Sequence, residues 1–271
     1  MVTLAAKATP SHDAPCNTSA GPEKFVVRPA RFSDVSTIAH NSTKAYWLSP
    51  MDQFLAPRAP EYPDDMLRMF RQRTRRRLVA GDSVTLVACL ASDMDTPVGH
   101  ISFMRQGNDA GAKAFKRSVA SNSLFRLWLC ILTWVFWVYD KVDEIVKPPC
   151  AFNPAAMKQL GEWNRAGDAK YWTSHPERTN KWYIPNLVIH PDYQGKGIGK
   201  LLMTIVLQRA QSERDIVGLM ASSHGEFLYR KLGFERLGDF TNRPSTEGPD
   251  QKGGGYMLWY PEGYEGVRHT D

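Results

Sequence analysis

Residues 182–200 read W-Y-I-P-N-L-V-I-H-P-D-Y-Q-G-K-G-I-G-K, and this run limits what the chain can become more than any other. An apolar strand leads into a Pro-Asp turn and then into a glycine-rich turn. That turn opens a helix in which Ile198, Leu201, Leu202, Ile205 and Val206 recur at helical spacing. Glycines at 195, 197 and 199 let backbone N–H groups approach a bound group closely. The unpaired N–H groups and positive dipole end of the helix favour an anion, and a pyrophosphate fits there.

Spacing separates the phosphate-binding arrangements that use such glycines. A Walker loop requires glycine where Gln194 stands and Ser or Thr where Leu201 stands. A dinucleotide fingerprint requires glycine at Lys200 and a strand that opens a βαβ unit, whereas this strand comes late in the chain. What remains is Q-x-x-G-x-G over Gln194–Gly199, which resembles the pyrophosphate-binding motif of the GNAT superfamily, the acetyl-coenzyme A-dependent N-acetyltransferases. A plain turn and helix start is the alternative for the hexapeptide alone. The resemblance extends through a short strand at Ile216–Ala221, a Ser222-Ser223 cap and F-L-Y-R-K-L-G-F at Phe227–Phe234, which match the family's closing helix and strand. In sequence style the chain looks nearest to fungal members.

The resemblance implies an α/β (α+β) architecture: the GNAT acyltransferase fold, a mixed, mostly antiparallel sheet flanked by helices. It also implies roles. Backbone groups of Leu187, Val188 and Ile189 would hold the pantetheine arm and the carbonyl oxygen; Gln194, Gly195, Lys196, Gly197, Ile198, Gly199 and Lys200 would hold the pyrophosphate, with Ser222 completing the set. Pro185, which donates no hydrogen bond, suits a bulge or free edge in that strand. Tyr229 holds the place of the tyrosine that faces the sulfur, a candidate general acid. Several members carry Glu or His where this chain has Tyr183, so the base stays open between Tyr183, His190, His224 and a water relay.

The implied reaction is transfer of an acetyl group from acetyl-coenzyme A, the cosubstrate, to an amine acceptor, expected to be a small molecule, by direct attack in a ternary complex. A protein or peptide acceptor, or a non-catalytic acyl-coenzyme A-binding module, are the alternatives. Net charge +6 suits a polyanionic ligand but decides nothing. No metal is expected: Cys16, Cys89, Cys130 and Cys150 lack paired spacing, which suggests a reducing compartment, cytoplasmic or nuclear.

Residues 1–24 lack the apolar run of a secretory signal and read as a flexible tail, so the N-x-[ST] matches at Asn17 and Asn41 are expected to be chance. A single domain is expected over 25–260, with a second tail at 261–271. It opens with a strand from Phe25, then Ser33-Asp34 as the cap of a helix running to about Trp47. A Pro-rich link, Ser49–Pro63, leads to a second helix from Asp64 to about Val79. By resemblance these helices flank the acceptor site, bringing Tyr46, Trp47 and Tyr62 near it. The second helix carries arginines at 68, 71, 73, 75, 76 and 77; without interleaved aromatics they read first as a solvated face, second as contacts for acidic partners or coenzyme phosphates, and no nucleic-acid partner is expected.

Ser83–Leu90 and Pro97–Arg105 alternate as strands, with Met94-Asp95-Thr96 as the turn between them. The interval from there to the strand at 182 is far longer than a hairpin needs, so about 107–180 is an insertion. It contains a long helix over about Ser123–Val146 and a shorter amphipathic segment around Met157–Trp163. The uncharged core of the long helix, Leu127–Tyr139, is shorter than the roughly twenty residues a span needs. It is expected to be buried against the sheet, or to form a dimer face, a roof for the substrate pocket or a membrane-interface contact, and not to cross a bilayer. Phe234–Phe240 and Gly255–Tyr260 read as a closing hairpin.

Overall fold

A computed structural model describes residues 23–47, 49–120, 122–240 and 253–268. The strands are β1 (Phe25–Pro29), β2 (Ser83–Leu90), β3 (Asp93–Gln106), β4 (Lys181–Ile189), β5 (Val217–Ala221), β6 (Glu235–Gly238) and β7 (Gly255–Trp259), joined in one sheet in the order β1-β2-β3-β4-β5-β7-β6. Every neighbouring pair is antiparallel except β4 and β5. That parallel pair is short: Trp182 faces Val217, Tyr183 faces Gly218 and Ile184 faces Leu219, and beyond Ile184 only β3 flanks β4 among the described residues.

A bulge marks the same place. Asn186 pairs with Ser102 and Tyr183 with Met104, so Phe103 alone stands opposite Ile184 and Pro185. Pro185 donates nothing to the ladder, so the bulge costs no bond. The extra residue resets the alternation of β4. Ile184, Leu187 and Ile189 all pack on the face that carries helix α7 (Ile198–Glu213), with Ile198, Leu202, Met203 and Val206 of that helix against Ile101, Phe103 and Trp182. Asn186 is thereby turned to the opposite face.

That opposite face is covered by α1 (Val35–Tyr46) and α3 (Pro63–Val79), linked by the short α2 (Pro50–Leu55). The link expected at Ser49–Pro63 thus contains a helix, because Ser49 accepts a hydrogen bond from Asp52 N and Pro50 occupies the first turn. The expected Ser33-Asp34 cap is instead a 3₁₀ turn over Phe32–Asp34. Asp34 makes no cap bond to α1; its carboxylate accepts from Arg28 at 2.7 and 2.9 Å and from Arg31 N at 2.6 Å. Nor do Met94–Thr96 form a turn. The β2–β3 hairpin closes at Ala91-Ser92 and those residues continue β3 through an irregular register, with Arg28 Nε donating to Met94 O.

The insertion holds α4 (Ala110–Val119), α5 (Ser123–Val146) and α6 (Pro154–Asp168), then a π turn at Ala169–Thr173 and a 3₁₀ turn at Pro176–Arg178. Asp109 caps the unanticipated α4 by accepting from Ala112 N and also accepts from the buried Arg105, which binds Glu213 and Asp215 as well. That cluster ties the end of β3 to the C-terminal end of α7.

Helix α5 corrects the sequence expectation most. It does not lie against the sheet: it packs on α3, with Leu129 beside Val79 and Asp140 buried under Arg75 and Arg76 at 2.7 and 3.1 Å. Its other side is bare, with Leu124 80%, Trp134 69% and Trp137 52% exposed. By length and composition it is also long and apolar enough to cross a membrane, because the helix extends well past the uncharged core in both directions.

Asn41 is buried and donates to Pro97 O, which removes it as a glycosylation acceptor; Asn17 and Cys16 lie outside the described residues. Part of the expected C-terminal tail packs on the domain. Gln211 exchanges two hydrogen bonds with the backbone of Glu262, and Tyr264 meets Tyr260 at 5.3 Å.

Candidate functional site

The glycine turn sits beyond the free edge of β4. Pro191–Tyr193 form a 3₁₀ turn, Gln194 Nε2 donates back to Ile189 O at 3.2 Å, and Gly197 is the N-cap of α7. Gly195 and Gly197 have φ of 75° and 82°, where side chains are strained, and a Cβ on either would meet nothing within 4 Å. That open volume at a helix N-terminus is what an approaching phosphate needs. Gly199 differs. A Cβ there would lie 2.9 Å from Leu228 Cδ2, so this glycine also lets α7 approach α8 (Ser223–Lys231). Lys196 is held over the Tyr193 ring and bonds Glu23 at 2.7 Å, Lys200 is exposed, and Ile198 is buried in the core.

Leu187, Val188 and Ile189 keep their ladder to β3 while their other backbone edge has no strand beside it among the described residues. Across that gap α8 begins at Ser222, whose hydroxyl accepts from Gly225 N. Tyr229 lies in the last turn of α8, 7% exposed, edge-on to Phe234 at 5.6 Å. Burial, with a smaller contribution from Tyr46, pushes its phenol well above the usual value, so it stays protonated at neutral pH.

The candidate bases are placed differently. Tyr183 sits in a second apolar cluster with Trp172 and Tyr256, its pKa pushed up to about 12 by burial and then by Asp168, so it holds its proton near neutrality. His190 Nδ1 accepts from Asp192 N at 3.2 Å, committing that lone pair to the turn; burial, then Lys44, lower its pKa. His224 is exposed in the first turn of α8.

Sequence reasoning singled out Tyr46 and the arginines of α3 but missed the polar pair His100 and Asn186 on the α1/α3 face. His100 of β3 is 2% exposed, and its Nε2 lies 2.9 Å from Asn186 Nδ2. Burial, then the charge on Arg77, pushes its pKa down to about 3, so it is neutral. Tyr46 stacks on Phe70 at 5.6 Å, and the Arg73 guanidinium lies 6.0 Å from that ring. Asp52 and Arg73 act on each other electrostatically, and Tyr46 acts on Tyr229. The legible signal was in β3, where His100 and Ser102 alternate with Ile101 and Phe103: a polar face on a strand buried on both sides.

Comparison with solved structures identifies the fold. The chain superposes on a crystal structure described as histone acetyltransferase HPA2 and related acetyltransferase from Corynebacterium glutamicum with a TM-score of 0.50 at 17% identity, covering 88% of this chain and 96% of that one. The fold is that of the GNAT acetyltransferases. Residues 135–236 match the family model described as the acetyltransferase (GNAT) domain, a stretch running from α5 through the glycine turn to β6. Over 129 residues the chain is 38% identical to an uncharacterized N-acetyltransferase, ycf52, of Porphyra purpurea, covering 47% of this chain and 65% of that protein. It is 33% identical over 98 residues to the chloroplastic GCN5-related N-acetyltransferase 2 of Arabidopsis thaliana, covering 35% of this chain and 31% of that protein. The chain therefore spans less than two thirds of these curated relatives. They are algal and plant proteins, which corrects the likeness to fungal members. Within the GNAT fold, the short β4–β5 pairing creates the free edge, and the bulge at Pro185 turns Asn186 toward the α1/α3 face.

Proposed function

We propose that this chain is an N-acetyltransferase that moves an acetyl group from acetyl-coenzyme A to an amine on a small molecule. One observation carries the reading most directly: the unpaired edge of β4 beyond Ile184 runs to a turn whose Gly195 and Gly197 leave open space at the start of α7. Backbone groups of Leu187 to Ile189 would bind the pantetheine arm along that edge and polarise the thioester carbonyl; N–H groups from Gly195 to Lys200 would bind the pyrophosphate. The neutral acceptor amine attacks the carbonyl carbon, a C–N bond replaces the C–S bond, Tyr229 supplies a proton to the departing sulfur, and the amine loses one to a water relay.

Calorimetry on Gly197→Glu, with circular dichroism as the control for folding, tests the coenzyme site. The carboxylate should fill the open volume and repel the pyrophosphate, abolishing measurable affinity in a folded protein. Unchanged affinity in a folded variant overturns the assignment. Release of free coenzyme A thiol with an amine panel separates catalysis from a non-catalytic binding module, and peptides in the same panel test the protein-acceptor alternative.

A further inference from the structure

Helix α5 carries Leu124, Ile131, Val138 and Ile145 at intervals of seven residues, and all four are exposed. The opposite side of the helix is occupied: Leu129, Leu132 and Phe136 pack toward Val79 of α3, and Asp140 binds Arg75 and Arg76. The seven-residue face is therefore not the one that holds α5 to its own chain. Of the large apolar side chains exposed among the described residues, thirteen lie on this one helix and six elsewhere, so they form a patch and not the scatter that a monomer surface tolerates.

The period says what kind of partner covers the patch. Lipid tails impose no register on a helix, whereas a second helix does, because a repeat of seven keeps one stripe facing a supercoiling partner. The stripe is also symmetric about the middle of α5, which falls between Trp134 and Val135. Turned end for end, Leu124 falls on Ile145, Leu127 on Val142, Ile131 on Val138 and Trp134 on Val135, apolar on apolar throughout. That is the condition for a two-fold contact, in which one residue meets a second and the second meets the first. A shallow apolar groove lined by Cys130, Ile131, Trp134, Val135 and Val138 straddles the same midpoint, where Trp134 of an antiparallel second copy would lie.

Charge agrees with that pairing. Arg126 and Glu144 are 18 residues apart, five turns of 3.6 residues, so they stand on the same side of α5 at opposite ends. End-for-end packing sets each beside the other of the second copy. The arginines of α3 beside the helix are engaged within the chain, Arg75 and Arg76 with Asp140 and Arg68 with Asp143, which leaves them little attraction for an anionic membrane. We propose that the outer face of α5 is a homodimer interface, formed by two copies of this helix packed antiparallel about a two-fold axis at Trp134 and Val135. Burying the stripe removes on the order of 800 Å² per copy from water, the size of a standard stable interface. The inference does not depend on the acetyl-transfer reading.

Sedimentation velocity on the full chain at micromolar concentration should give twice the 30.6 kDa of one copy. Ile131→Glu should leave the circular dichroism unchanged, because that side chain faces water in the separate chain, and should weaken self-association by about a hundredfold or more, because two unpaired carboxylates would be buried near the axis. Trp134→Gln, a milder change, should weaken it by about tenfold or more. Register is read by cross-linking in a background of Cys16→Ser, Cys130→Ser and Cys150→Ser. Val135→Cys should form an intermolecular disulfide on mild oxidation and Ile145→Cys should not, because antiparallel packing sets the two copies of position 145 about 30 Å apart along the seam. A chain that stays monomeric at its highest soluble concentration, a dimer that both Ile131→Glu and Trp134→Gln leave intact, or cross-linking at position 145 as ready as at 135 overturns the inference. So does cosedimentation of a monomeric chain with vesicles of phosphatidylcholine and phosphatidylserine, which would assign the face to a membrane.

Discussion

His100 Nε2 and Asn186 Nδ2 lie 2.9 Å apart, bridging β3 to the part of β4 that has passed its bulge, and the remaining polar atom of each side chain is buried without a partner. The bridge requires a neutral imidazole that accepts through Nε2. Burial enforces that state, pushing the pKa to about 3 from the usual 6.5. Between those values the unfolded chain binds the proton and the folded one does not, so His100 makes stability rise with pH through this interval and erodes it as pH falls below 6.5. His100→Gln, which cannot titrate, should show a flatter stability between pH 5 and 6.5 in urea denaturation. A histidine NMR resonance with a midpoint near 6.5 assigned to His100 contradicts this.

Arg28 and Asp34 form another buried polar contact that fixes an element. Burial works to raise the Asp34 carboxyl, but the hydrogen bonds from Arg28 and Arg31 N, with the Arg28 charge, outweigh it and hold the carboxyl below its usual value. A carboxyl held low contributes stability that is fully present above its unfolded pKa and lost as pH falls through the folded one. Asp34→Asn leaves the Arg28 guanidinium buried without its counter-charge and should cost about 3 kcal/mol at neutral pH. Thermal unfolding at pH 7 measures it. The difference from the parent protein should narrow toward pH 3.

Much of this was legible in the sequence, and the parts that were not share a cause. The strand, turn and helix from Trp182 onward follow from local chemistry: apolar alternation, glycines at positive φ and a helical apolar repeat, all within one short run. The same holds for Tyr229, placed by its own helix, and for Pro185, whose lack of a donor points to the bulge where it lies. What failed depends on contacts distant in sequence. Asp34 could serve α1 or Arg28, and the pair with Arg28 won because a buried cation needs a counter-charge more than an exposed helix start needs a cap. Arginines 68 to 77 look alike in sequence, and only the position of Asp140 and Asp143 on α5 sorts those neutralised from Arg73 and Arg77. The apolar stretch of α5 could not say which of its faces would be used, because the partner surface, α3, lies about fifty residues earlier.

The packing of α5 on α3 predicts unequal responses along one helix. Leu129 is 8% exposed beside Val79, so Leu129→Ala should cost about 2–3 kcal/mol through lost burial and the cavity it leaves. Trp134 is larger but touches its own chain little, so in dilute protein Trp134→Gln should change stability by about 0.5 kcal/mol or less. Thermal unfolding of both variants at several protein concentrations checks this. A larger loss at Trp134 than at Leu129 means that the tryptophan face is covered in solution.

The last prediction concerns proton transfer to sulfur. Tyr229 is buried on α8, its first turn fixed by Ser222, and its raised pKa keeps the phenol intact across the neutral range. Removing only the hydroxyl should leave the ring edge-on to Phe234 and preserve both folding and coenzyme affinity. General acid catalysis contributes about a hundredfold or more, so Tyr229→Phe should lower kcat by that order with KM for acetyl-coenzyme A little changed, the pattern of an interaction made in the transition state. Tyr183→Phe is the matched comparison. Its phenol lies among Trp172 and Tyr256 on β4, and its pKa of about 12 keeps it protonated at pH 7. Its loss should therefore leave kcat within a few-fold of the parent. If Tyr183→Phe loses activity while Tyr229→Phe keeps it under conditions where chemistry limits the rate, the proton is carried by the strand tyrosine and the assignment to α8 is wrong.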